Sequence, residues 1–238
     1  MRMPEALHWR RGRLGATALI IIDPQNDFCA PGGVVFALSE RKLMIQKAAR
    51  KIQVLLEEVR QHQIPCIVVR SFFDEKYKLP SMQAKHRQLG IRQNVCIENS
   101  WGAKIEAIKT TALECYVTKH TVDAFLYTPL EALLRKYQIH NILICGFLTE
   151  ICVLETVRSA LQRGFFVTLP LECTAGLSEL CERHAIEEMR ALQAEIVDLE
   201  ELIEEWKKCK LKKTKLTDSL LKTTPEQQTI TSWLSRVR

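Results

Sequence analysis

The stretch Ala18-Leu19-Ile20-Ile21-Ile22-Asp23-Pro24-Gln25-Asn26-Asp27-Phe28 decides how the chain folds. Its apolar run is too short to cross a bilayer, which takes roughly 18 residues, and it has no polar alternation. It therefore reads, from Thr17 to Ile22, as a strand buried on both faces, which is the signature of a parallel sheet. The abrupt change to Asp23-Pro24-Gln25-Asn26-Asp27 ends the strand and places polar groups at its carboxyl end.

Similar short apolar runs recur along the chain, separated by stretches of helical period. Ser39–His62 reads as a helix with Leu43, Ala48, Ile52, Leu55, Leu56 and Val59 on its apolar side. Strands follow at Ile64–Arg70 and Glu114–Thr118. Pro129–Tyr137 is expected to be helical, with Pro129 in its first turn, and Asn141–Cys145 is a strand. Thr149–Gln162 reads as a helix stopped by Gly164. A strand at Phe165–Leu169, a helix at Ser178–Leu192 and a last strand at Glu195–Leu199 complete the pattern. This alternation specifies an α/β fold, a doubly wound parallel sheet with helices on both faces. Phe72–Ser100 has no strong period and reads as a long surface excursion, a cover for a site or an oligomer contact.

The 238 residues carry a net charge of +6, which is concentrated at the ends. Residues 1–15 carry +3 and residues 206–238 carry +7, so the body is mildly acidic at −4. A basic N-terminal arm (1–15), one domain (16–205) and a basic tail (206–238) follow from that distribution. A solvated tail accounts for the charge better than a nucleic-acid footprint, which lies on a folded face. The nine cysteines form no CxxC pair. Free thiols in a reducing, cytoplasmic setting are expected rather than a disulfide framework. There is no GxxxxGK[ST], no GxGxxG after a strand and no HExxH, which removes the common ATP-driven, nicotinamide-dependent and zincin chemistries.

Ligands of open parallel sheets bind at the carboxyl ends of the strands. Three reactive residue types sit there: Asp23 after the first strand, Lys119 after the third, and Cys152 in the first turn of the helix that follows Cys145-Gly146-Phe147-Leu148-Thr149. Each has an ordinary structural reading, as a loop carboxylate, a solvated amine and a packed thiol. Their shared position favours nucleophilic chemistry instead. If Thr149 is the N-cap, Cys152 is the third helical residue, where the helix end favours a thiolate and free N–H groups can hold an oxyanion. The remaining cysteines read as packing or incidental thiols. Phe28 is a candidate apolar wall for a substrate, and Gln25 a weaker binding candidate.

The sequence resembles the isochorismatase-like superfamily of cysteine hydrolases. The resemblance rests on Leu19 to Phe28, Ser100-Trp101-Gly102-Ala103, Lys119 with Asp123-Ala124-Phe125, and Gly146-x-x-Thr149-x-x-Cys152-Val153-x-x-Thr156-x-Arg158. It spans about Thr17 to Leu202. It implies a six-stranded parallel sheet, an Asp–Lys–Cys triad on Asp23, Lys119 and Cys152, and an oxyanion site at the backbone N–H groups of Thr149 and Cys152. It also implies a cis peptide between Leu148 and Thr149. The presence of Cys152 separates the chain from relatives that cleave a vinyl ether and implies C–N hydrolysis in a small amide, ureide or carbamoyl compound. Nicotinamidases of the family place an Asp-x-His zinc site after the second strand, where this chain has Asp74-Glu75-Lys76, so no metal and no cofactor is expected. The carbamoylsarcosine amidases place an arginine after the fifth strand, and Glu172–Leu177 contains none. Ser159 replaces a frequent family Asp. The expected partners are a small-molecule substrate and further copies of the chain in a homo-oligomer, with no membrane and no nucleic acid. A zinc-dependent nicotinamidase with unusual ligands and a silent interaction module are the alternative readings.

Overall fold

The computed structural model describes residues 16–73, 79–88, 90–91 and 94–208. The first strand, β1 (Thr17–Ile22), is buried along its whole length, as its unbroken apolar run requires. It is paired in parallel on one side with β2 (Cys66–Ser71) and on the other with β4 (Asn141–Phe147). With β3 (Cys115–Lys119), β5 (Phe166–Pro170) and β7 (Glu195–Val197), the strands lie in the order β3-β2-β1-β4-β5-β7. This path has the six strands expected, and a two-residue strand off it, β6 (Thr174–Ala175), pairs with the end of β4 as a seventh. The order reverses direction between β1 and β4, and such a switch point opens a crevice at the strand ends.

Two short helices, α1 (Asn26–Cys29) and α2 (Val34–Leu38), precede the long α3 (Lys42–Gln61). The α3 helix buries Ile45, Ala48, Ala49, Ile52, Leu55, Leu56 and Val59, a stripe at helical spacing. Leu43, expected on that stripe, is 73% exposed, because it lies in the first turn and points away from the sheet-facing row begun by Ile45. The crossovers that follow are α4 (Pro80–Gln88), α5 (Leu130–Lys136), α6 (Leu154–Gln162) and α7 (Glu179–Ala191). Pro129 caps α5 from just outside it, and Ser178 caps α7 by accepting the Cys181 N–H at 3.3 Å.

Gly146, near the end of β4, shows why glycine is needed there. Its φ is +122°, and a Cβ would lie 2.0 Å from the Ile22 carbonyl. The two central strands thus approach closely just before the chain turns out at Asp23.

The expected domain boundary after Glu205 falls within a helix, residues 199–208. Leu202, Ile203 and Trp206 are buried, and the Trp206 ring packs on His62 at 5.5 Å between centroids. Apolar periodicity continues past the last strand, so the domain ends later than the charge distribution implied. The tail beyond residue 208 and the arm of residues 1–15 lie outside the described residues. Among the described residues no helix is long and apolar enough to cross a membrane.

Candidate active site

Asp23, Lys119 and Cys152 come together at the switch point. Strand register explains how. Ser71 is paired with Lys119 across β2 and β3, while Ile22, immediately before Asp23, is paired with both Val69 and Gly146. Three chain segments far apart in sequence therefore end side by side. The Lys119 ammonium is fully buried and lies 2.8 Å from Asp23 Oδ2 in an ion pair. It also donates to Cys152 Sγ at 3.3 Å and to the Thr121 carbonyl at 2.9 Å. It thus makes one ion pair and two hydrogen bonds.

Burial alone would push the Lys119 ammonium down, but the Asp23 carboxylate and Cys152 outweigh it and hold its pKa above the usual lysine value. Lys119 is thus a fixed cation. The Cys152 thiol is pushed up to about 12, first by burial and then by the Asp23 carboxylate that accepts its proton, against the pull of Lys119. Desolvation of the sulfur therefore exceeds the help that the lysine and the helix end give to the thiolate.

The turn carrying Cys152 differs from the expected helix start. Residues Thr149–Val153 form a π-turn with Leu148 as its N-cap, leading directly into α6. The Leu148 carbonyl accepts from the N–H groups of Ile151 and Val153 at 3.1 Å each, with the Cys152 N–H between them. Thr149 does not cap the turn. Its hydroxyl is hydrogen-bonded to the Thr174 hydroxyl at 2.8 Å, which also donates to the Gly146 carbonyl at 3.0 Å. The cis peptide is Phe147–Leu148, one bond earlier than the Leu148–Thr149 position expected. A non-proline cis bond has no residue-type signature, so only the backbone could place it.

The polar residues after Asp23 prove to be the frame of the site. The Gln25 amide, considered as a substrate contact, is buried and engaged by the protein itself. It accepts the Ser71 N–H at 2.7 Å and donates to the carbonyls of Ser71 at 2.9 Å and Ala103 at 3.3 Å. Asn26 donates to the Trp101 carbonyl at 2.9 Å. The Asp27 carboxylate accepts the N–H groups of Cys96 at 2.7 Å and Val34 at 3.1 Å. Gly102 is required beside it, because a Cβ there would lie 2.2 Å from Asp27 Oδ2. The Ser100–Ala103 motif is therefore a docking loop for the segment that carries Asp23.

Ser71 was not singled out in the sequence, although it ends β2 at the same edge of the sheet. It is buried and donates from Oγ to Asp23 Oδ1 at 2.8 Å. The strand-end rule that selected Lys119 would also have found it. Farther out, Thr156 accepts the Ala124 N–H at 3.2 Å and ties α6 to the loop after Lys119. Ser159 donates to Asp123 Oδ2 at 2.7 Å and is held by Arg163, so it performs a bracing role in the same loop.

A cleft of about 410 Å³, counting the space open at its mouth, leads to Cys152. Phe28 lines it, together with Phe73, Met82 and Ile91 from the excursion after β2 and Leu148 and Ile151 from the nucleophile turn. His86 of α4 completes this wall, its ring edge-on to Phe73 at 5.1 Å. Among the described residues no group of three His, Cys, Asp or Glu side chains is placed to hold a metal ion. Asp74 lies outside the described residues.

A buried thiol, ammonium and carboxylate thus lie together at the switch point of a parallel α/β sheet. The model of the Isochorismatase domain matches residues 17–201, and the chain belongs to that family of hydrolases. An uncharacterized isochorismatase family protein, YaaI of Bacillus subtilis (strain 168), is 30% identical over 188 residues, covering 79% of this chain and 96% of that protein. The ureidoacrylate amidohydrolase RutB of Methylorubrum extorquens is 24% identical over 63% of this chain and 66% of its own length. Among solved structures, a cysteine hydrolase from Pseudomonas syringae pv. phaseolicola 1448A superposes with a TM-score of 0.73 at 20% identity, over 84% of this chain and 96% of that one. The pyrazinamidase of Pyrococcus horikoshii in complex with zinc has a TM-score of 0.65 at 25% identity, over 77% and 99%.

Proposed function

We propose that the protein hydrolyses the C–N bond of a small amide through a thioester on Cys152. The observation that carries this reading is the contact of one buried ammonium, Lys119, with both Asp23 at 2.8 Å and Cys152 at 3.3 Å at the foot of a cleft. Because the thiol rests protonated, the Asp23 carboxylate takes its proton as the sulfur attacks the carbonyl carbon. Lys119 stays protonated and stabilises the sulfur as it gains charge. The backbone N–H groups of Thr149 and Cys152 are the donors for the oxyanion, worth about 10²–10³-fold per donor in comparable enzymes.

As the tetrahedral species collapses, the C–N bond breaks and Asp23 returns its proton to the departing amine. A water then gives a proton to Asp23 and adds to the thioester. The C–S bond breaks, the acid leaves, and the proton returns to Cys152. The amidohydrolase name of the RutB relative supports a C–N bond as the target. Ammonia release from a panel of small primary amides, with Cys152→Ala as control, tests the reading. Release by the wild-type protein that Cys152→Ala lacks supports it; equal release by both overturns it.

A further inference from the structure

The cleft above Cys152 has a chemical character that the reacting groups do not explain. Beyond the residues already named, Val35, Val95 and Val122 complete its lining, so nearly every side chain that faces the reacting sulfur is aliphatic or aromatic. Among the described residues, Lys119, Asp27 and Glu150 near it are each engaged by the protein itself. Lys119 is spent on Asp23, Cys152 and Thr121, and Asp27 on two backbone N–H groups. Glu150, within the nucleophile turn, accepts the Leu177 N–H at 2.7 Å through Oε1. The segment after β5, Glu172–Leu177, supplies no arginine. Apart from Cys152, His86 is the one ionisable side chain among the lining residues, so a substrate carboxylate seated there would lose its water with no lysine or arginine among the described lining residues to replace it, and a poorly paired ion in an apolar site is strongly disfavoured.

We infer that the site selects a neutral amide with a small apolar acyl group and rejects amides that carry a carboxylate. The inference rests on the proposed C–N hydrolysis and adds the substrate class. Phe28 and Phe73 are the specificity residues, because they present the aromatic part of the wall. Each acyl methylene that becomes buried should raise kcat/KM by about fourfold until the cleft is full.

The test compares acetamide, propionamide, isobutyramide and benzamide, and then the matched pair 4-methylpentanamide and succinamate, in which a carboxylate replaces an isopropyl group. The neutral member of the pair should be preferred in kcat/KM on the order of a hundredfold. Val122→Arg, on a half-buried part of the wall, should narrow that preference, and the wild-type comparison stands if this variant does not fold. Hydrolysis of succinamate equal to or faster than its neutral partner overturns the inference and leaves C–N hydrolysis standing. Failure to release ammonia from any amide, charged or neutral, overturns both.

Discussion

Ser71 Oγ donates a 2.8 Å hydrogen bond to Asp23 Oδ1, while Lys119 approaches the other oxygen of the same carboxylate. Asp23 is thus held at both oxygens, at a left-handed backbone position with φ of 49°. Ser71→Ala should lower kcat by about tenfold with little change in KM, because the lost bond orients the base rather than the substrate. Ser71→Thr should retain most of the rate. Steady-state kinetics on both variants check this.

The three reacting positions should differ in stability as well as in rate. Cys152→Ala should remove turnover, and Asp23→Asn should come close, because the amide cannot accept the thiol proton. Lys119→Ala should also unseat the fold, since it strands the Asp23 carboxylate in a site with no exposure. Breaking a buried pair in this way costs about 3–5 kcal/mol. Urea denaturation should show that loss for Lys119→Ala and a much smaller one for Cys152→Ala.

Thiol chemistry should follow burial. Cys115 and Cys181 are exposed, whereas Cys152 is buried and its thiol is pushed up to about 12. Iodoacetamide at pH 7.5 should therefore label Cys115 and Cys181 before Cys152, as read by peptide mass spectrometry. The alkaline limb of stability has the same origin. Burial also pushes Cys29 up to about 12 from an ordinary value of 9.0. Between those values the unfolded chain releases protons that the folded chain keeps, so stability is full below pH 9 and falls as pH rises toward 12. Denaturation midpoints measured from pH 8 to 11 should decline, with a shallower slope in Cys29→Ala.

Gly102→Ala should destabilise the Ser100–Ala103 loop where it packs on Asp27 of α1. The new methyl would lie 2.2 Å from the Asp27 carboxylate, which is held by two backbone N–H groups and cannot retreat. Overpacking of this kind costs about 1–3 kcal/mol. A lowered thermal midpoint with reduced kcat is expected, because the same loop anchors Gln25 and through it Ser71.

Truncation separates the domain from its basic extension. A chain ending at Lys208 should keep the midpoint of the full-length protein. One ending at Glu205 loses the buried Trp206 and should fall by about 3 kcal/mol or more. Equal midpoints for the two truncations would place Trp206 outside the cooperative core.

The sequence alone determined the architecture and singled out the three side chains that the fold brings together. An unbroken apolar run such as Thr17–Ile22 has few options besides a central parallel strand. Polar residues directly after such strands must lie at one edge of the sheet, so Asp23, Lys119 and Cys152 could be named without coordinates. Register across four strands, by contrast, is a long-range property. It decided that Ser71 faces Asp23, that Gln25 closes on a backbone rather than a substrate, and that Lys119 bridges acid and thiol. Burial is also collective: the proton on Cys152 is retained because many segments together exclude water, and no local pattern encodes that sum. The same holds for the helix at residues 199–208, where local charge suggested a tail and packing of Trp206 on His62 made it part of the core.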